Sequence, residues 1–218
     1  MVAAVDRAAR NLWECKMHEM LRTVAIAALA LAWPVLAVAG QPAGEVLAAK
    51  GESFIDSGGK HSILKVGDKV EVGDVVDVPE TAKLKLRMVD GSVLSAAPGT
   101  KVKIETYVAE PRDAKLSLAA GLLRAVVAKA GDPAKFEVDT ATGVAAVRST
   151  DWFILSDSKG TQVGVLDGRV SLESAATHHE VVIPARWGAR VEPGRDPVPA
   201  RVWSKAEFDN VIGRTNLD

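Results

Sequence analysis

Cysteine is almost missing from this chain. Its 218 residues include one Cys, one Tyr and four His. A lone Cys15 excludes an intramolecular disulfide framework, a Cys-rich zinc module and a CxxC redox pair. A charge excess of either sign is lacking too, with 27 Lys and Arg against 28 Asp and Glu. Nucleic-acid binders need clustered Lys and Arg to neutralise phosphates, so this balance argues against that class. At 48% hydrophobic residues the chain is not a charged disordered polymer. His178 and His179 are adjacent, and neighbours in a strand face opposite sides, so the pair is a poor chelate. No Gly-x-Ser-x-Gly elbow occurs, and Ser149-Thr150-Asp151 has no His close in sequence. No catalytic residue, metal or cofactor is expected, and the chain does not read as an enzyme.

Long apolar runs are confined to one place. From Met20 the sequence reads Met-Leu-Arg, then an apolar stretch from Thr23 to Ala39, then Gly40-Gln41-Pro42. Arg22 serves as a positive n-region, Thr23 to Leu36 as the h-region, and Ala37-Val38-Ala39 matches the small-x-small cleavage pattern. The stretch is at the lower limit for spanning a bilayer and contains Pro34, which fits a cleaved signal peptide better than a retained anchor. Starting at Met20 gives the most compact leader, so residues 1–19 are expected to be an over-long reading of the gene. The mature product is expected to begin near Gly40, to have no membrane span, and to be periplasmic or secreted. About 180 residues remain, enough to bury roughly 70% of the unfolded surface in a packed core.

The remainder alternates. Ala82, Leu84, Leu86 and Met88 point one way and Lys83, Lys85 and Arg87 the other, the mark of a half-buried strand. Asp90-Gly91 supplies a tight turn and Ser92–Ala97 returns. Lys101–Val108 and Lys115–Ala119 continue the pattern; Leu122–Ala128 reads as a further strand or a short helix. Lys135–Asp139, Val144–Val147, Trp152–Leu155, His179–Ile183 and Ala189–Val191 are predicted strands. Gln162–Leu166 and Val170–Leu172 are predicted to form a hairpin across Asp167-Gly168. Val66-Gly67-Asp68 is echoed six residues on at Val72-Gly73-Asp74, a local doubled turn. Ser204 and Glu207 fit a capping box, with Phe208, Val211 and Ile212 as the apolar face and Gly213 as the stop. The expected fold class is all-β: short antiparallel strands in a sandwich or β-helical stack, with one short C-terminal helix. The expected divisions are an extension and signal peptide over 1–39, a β domain over 40–191, and a Pro-rich linker with the helix over 192–218.

In order, these motifs resemble the FecR-type domain. Lys65-Val66-Gly67-Asp68 and Gly73-Asp74-Val75-Val76 resemble its opening, and Asp90-Gly91-Ser92 its Asp-Gly-Ser turn. Gly121 is similar to a Gly in a Leu-rich strand pair. Phe136–Thr140 followed by Val144–Phe153 resembles its central signature, and Val165–Val170 its closing hairpin. The match runs from about Glu45 to Val191. Where the family has Arg-Gly-Thr this chain has Arg148-Ser149-Thr150, which Ser149 would tolerate poorly if the position needs positive φ. The resemblance implies an all-β domain outside the cytoplasmic membrane. In the sensors that carry it, an outer-membrane transporter's signalling domain engages the periplasmic part, and a cytoplasmic anti-sigma segment regulates a sigma factor. Too little precedes the apolar run here for that segment, so the transmembrane mechanism is not expected to carry over.

The function expected is a non-enzymatic binding or signalling accessory acting through protein–protein contact. Its partner would be an envelope protein, such as an outer-membrane transporter's signalling domain. The alternative is a cell-wall or glycan-associated module. Arg148 and Thr150 are candidate recognition residues; for Arg148 the plainer reading is a half-buried pair with Asp151 or another carboxylate. Lys83, Lys85, Arg87, Lys101 and Lys103 would form one cationic face if their two strands adjoin. Trp187 and Trp203 are candidate stacking platforms, or core and helix-docking residues.

Overall fold

The alternation is realised as strands in nearly every predicted place. The structure, a computed structural model, describes residues 40–129, 131–132 and 134–217. The expected leader, with its expected cleavage near Ala39, and Cys15 lie outside the described residues. The first strands are β1 (Pro42–Lys50), β2 (Ser53–Ser57), β3 (Lys60–Leu64), β4 (Lys69–Glu71), β5 (Val75–Val78), β6 (Lys83–Met88), β7 (Val93–Ala96) and β8 (Thr100–Val108). After the long β9 (Asp113–Val126) come β10 (Lys135–Asp139), β11 (Gly143–Val147), β12 (Asp151–Asp157), β13 (Gly160–Asp167) and β14 (Arg169–Ser174). The chain ends with β15 (Glu180–Pro184), β16 (Trp187–Val191), β17 (Arg201–Val202) and the helix α1 (Lys205–Thr215).

These strands lie in two sheets that share β9. One runs β4-β1-β6-β7-β9-β12-β13-β16-β17. The other runs β3-β2-β5-β8-β9-β10-β11-β14-β15. All pairs are antiparallel except β9 with β10. β9 serves both sheets because it turns at Gly121, which has φ +97 and no room for a Cβ against the backbone of Gly99 and Thr100. Leu122–Val126 is therefore the second half of that strand, neither a separate strand nor a helix. Inward side chains of both sheets, including Leu84, Ile104, Leu116, Phe136, Trp152 and Val165, meet in one core.

Two expectations about the chain path are corrected. Asp167-Gly168 does not close a hairpin: β13 pairs with β12 and β16, and β14 pairs with β11 and β15, so the dipeptide is a corner between sheets. The segment after Val191 does not hang off as a linker. Pro197 bridges to Val191, β17 extends the first sheet, and α1 lies on that sheet's outer face. There Phe153, Trp203 and Phe208 form a ring cluster, with centroids 5.2, 5.5 and 6.2 Å apart, backed by Leu122 and Val211. The capping box of Ser204 and Glu207 is present. Gly213 does not stop the helix, which continues to Thr215 because Thr215 is buried and Lys83 reaches the last carbonyls.

The doubled turn is real at atomic level. Lys65 N donates to Asp68 Oδ2 and Glu71 N donates to Asp74 Oδ2, each at 2.7 Å. Among the described residues, no helix is long and apolar enough to cross a membrane.

Candidate functional site

Arg148 and Thr150 flank the turn between β11 and β12, where the chain passes from one sheet to the other. Beside it, on the outer face of the second sheet, is a shallow cleft of about 440 Å³. Lys135, Ala146, Arg148, Arg169, Ser171 and Val182 line it. The register explains the composition. Ala146, Ser171 and Val182 sit side by side across β11, β14 and β15, so short side chains floor the cleft. One row along, Arg169 lies opposite Pro184 on β15, and Arg148 and Lys135 border the same cleft.

Arg148 is exposed, not half-buried. Its guanidinium stands 3.3 Å from Asp132, both side chains being about three-quarters in solvent. Asp151 pairs instead with Arg124 through two bonds of 3.0 and 2.8 Å, and this pairing raises the Arg124 pKa. Lys135 pairs with Glu137 at 3.1 Å. Arg169 has no carboxylate within ion-pair distance among the described residues. Thr150 is buried, and its hydroxyl donates to the Arg169 carbonyl at 3.2 Å, so it holds the β13–β14 corner against the turn. Ser149 is not strained: among the described residues, the non-glycine residues at positive φ are His178 and Arg186.

The turn is anchored from beneath by a residue that the sequence did not single out. Arg112 is buried, and its Nη1 donates to the carbonyls of Ala128 at 2.6 Å and Arg148 at 3.2 Å. Its Nε pairs with Asp90 at 2.6 Å, and Asp90 also accepts from Tyr107 Oη at 3.0 Å and from Ser92 N at 2.9 Å. Asp90 is therefore both a turn former and a buried counter-ion. Its sequence setting gives no such signal: Arg112 sits among Glu110, Asp113 and Lys115 and reads as one more charge of a polar turn.

The remaining candidates do not gather. Lys83, Lys85 and Arg87 project from β6 in the first sheet, Lys101 and Lys103 from β8 in the second, and the two strands are not neighbours. Several are already engaged. Lys83 donates to Gly213 O and Asn216 O, Arg87 faces Glu45, Lys101 faces Asp77 and Lys103 faces Glu105. Lys85 lies opposite Ser95 and Ala48. Trp203 is a helix-docking residue, whereas Trp187 is 37% exposed at the end of the first sheet opposite Val202. His178 contacts Glu173 and His179 contacts Asp196, so the two rings point to different carboxylates.

Residues 74–171 match the family model described as FecR protein. No curated protein matches the sequence. Two crystal structures of a candidate anti-sigma factor from Parabacteroides distasonis ATCC 8503 are similar in fold, each at 13% identity and TM-score 0.53. Each alignment covers 63% of this chain, and 64% and 63% of those chains. This chain thus spans a little under two thirds of their length.

Proposed function

Because the chain carries a FecR-type domain over residues 74–171, we propose that it is an exported, non-enzymatic accessory of envelope signalling that acts by protein–protein contact. The observation that carries this reading is the family match, on a fold whose second sheet ends in two five-residue edge strands, β3 and β15, each paired on one side only. The free side of an edge strand offers a ladder of N–H and C=O groups to which another chain can add. The fold likeness to a candidate anti-sigma factor supports a signalling role in the same general class. Export rests on the Arg22, Thr23–Leu36 and Ala37-Val38-Ala39 pattern. The cell-wall reading is not favoured, since the lysines it needed are divided between two sheets and several are paired.

The test is expression of the tagged full chain in cells, followed by fractionation, N-terminal identification and site-specific cross-linking from β3 and β15. The expected result is a periplasmic product starting near Gly40 that cross-links to a protein. A cytoplasmic product with its leader intact would overturn export. Cross-linking to polysaccharide alone would overturn protein contact.

A further inference from the structure

We propose that the free edge of β15, together with the cations beside it, receives an extended peptide segment of a partner protein that carries an acidic residue at the Pro184 end. This deepens the protein-contact reading and rests on it.

The backbone sets the edge. Ser174 N donates to the His179 carbonyl, and His178 at φ +60 forms the bulge beside it. Alternation along an antiparallel pair then turns Val181 and Ile183 toward β14 and leaves the amides of Glu180 and Val182 facing away. No described backbone group bonds to them. Pro184 offers a carbonyl but no N–H, which ends the recruitable ladder. The other long edge, β3, has the same length but a different setting: its outer face mixes Asp56, Asp77, Lys101 and His61. The first sheet's edges, β4 and β17, have three and two residues.

Charge chooses the occupant. One strand in from the edge, Arg169 sits opposite Pro184 without a described carboxylate partner, and Arg148 and Lys135 stand beyond it around the same cleft. The Arg148–Asp132 pair is exposed and so cheaply exchanged for an incoming carboxylate. Guanidinium groups favour carboxylates because their paired donors match two oxygens. At the other end of β15, Glu180 lies opposite Glu173, which disfavours an acid there. The exposed Val182 faces small neighbours, Ser171 and Ala146, leaving room for an apolar side chain in the middle of the segment.

The probe is a short peptide of alternating Val and Thr with one terminal Glu, and a control with Lys in its place, each titrated into the isotope-labelled full chain. The Glu peptide is expected to shift the amides of Glu180 and Val182 and the Arg169 guanidinium, and to bind roughly tenfold more tightly than the Lys peptide at low salt. Arg169→Glu should reverse that preference, and Val182→Pro should abolish binding of both. Equal affinity for the two peptides, shifts confined to β3, or an unchanged preference in Arg169→Glu would overturn the proposal. So would a dimer abolished by Val182→Pro, since the edge would then serve a second copy. Arg148→Glu provides a second charge reversal at an exposed position, should Arg169→Glu fail to fold. If the peptides fail while β15 or β3 still cross-links to a periplasmic protein, the acidic-segment site is wrong and the protein-contact reading stands.

Discussion

Arg112 Nε stands 2.6 Å from Asp90 Oδ2, with both side chains almost wholly sealed from solvent. The same guanidinium holds the carbonyls of Ala128 and Arg148, so one residue ties the β6–β7 turn to the end of β9 and to the β11–β12 turn. Removing one partner of a buried ion pair leaves the other charged and dry. Arg112→Met and Asp90→Asn should each lower stability by about 3–5 kcal/mol. The double variant should lose less than the sum, because no lone charge is left. Urea unfolding of the two singles and the double measures this. Strict additivity would mean that the two groups do not act as a pair.

Tyr107 is the chain's one tyrosine, which makes its titration spectroscopically clean. Its hydroxyl donates to Asp90 at 3.0 Å. Burial, then the neighbouring Asp90 charge, pushes its pKa well above the ordinary phenol value. The folded state therefore keeps a proton that the unfolded state loses near pH ~10, so stability should fall as pH rises beyond that point. Phenolate absorbance should appear only together with unfolding. A reversible phenolate signal in the folded protein near pH ~10 would contradict this burial.

Helix α1 docks through Trp203, which lies directly over Gly188 where a Cβ would strike the indole. Gly188→Ala should force the ring away and lower stability by about 1–3 kcal/mol. Amide exchange along Phe208–Thr215 should speed up before the core strands are affected. Lys83→Met should give a smaller effect of the same kind by removing the donor to Gly213 O and Asn216 O, while Lys85→Met should not. Equal exchange in the Lys83 and Lys85 variants would show that the C-terminal carbonyls do not need this cation.

Period-two patterning made the strands legible. Lys135–Asp139 lies where the alternation puts it, and the Ser204–Glu207 box caps the helix as its spacing requires. What local pattern does not carry is which strands become neighbours. Asp167-Gly168 offers the chemistry of a hairpin turn, yet the chain uses it to change sheets, because Val163 and Val170 bury their side chains in one core from opposite layers. The lysines of β6 and β8 look like one face for the same reason: their strands are close in sequence but belong to different layers. Neither arginine's partner is legible locally, because Arg112 meets Asp90 and Arg148 meets Asp132, each far along the chain. Asp90 is the carboxylate that holds Arg112, while Asp151, close to Arg148, is taken by Arg124.

Glu207 tests the cap of α1 through pH. Its carboxylate accepts from Arg201 Nη2 at 2.6 Å and from Ser204 N at 2.8 Å. The Arg201 bond first, then the Ser204 backbone bond, hold its pKa down to about 2. In the unfolded chain a glutamate titrates near ~4.3. Between those values the unfolded state binds more protons than the folded one, so stability rises with pH through that window. The contribution is complete above the unfolded value and is lost as pH falls through the folded one. The carbon shift of the Glu207 carboxyl should follow the lower midpoint. Glu207→Gln keeps the capping geometry and removes the titrating charge, so it should flatten the acid dependence of α1 amide exchange without unfolding the helix at neutral pH. A wild-type midpoint near ~4.3 would mean that Arg201 and Ser204 do not hold this carboxylate in solution.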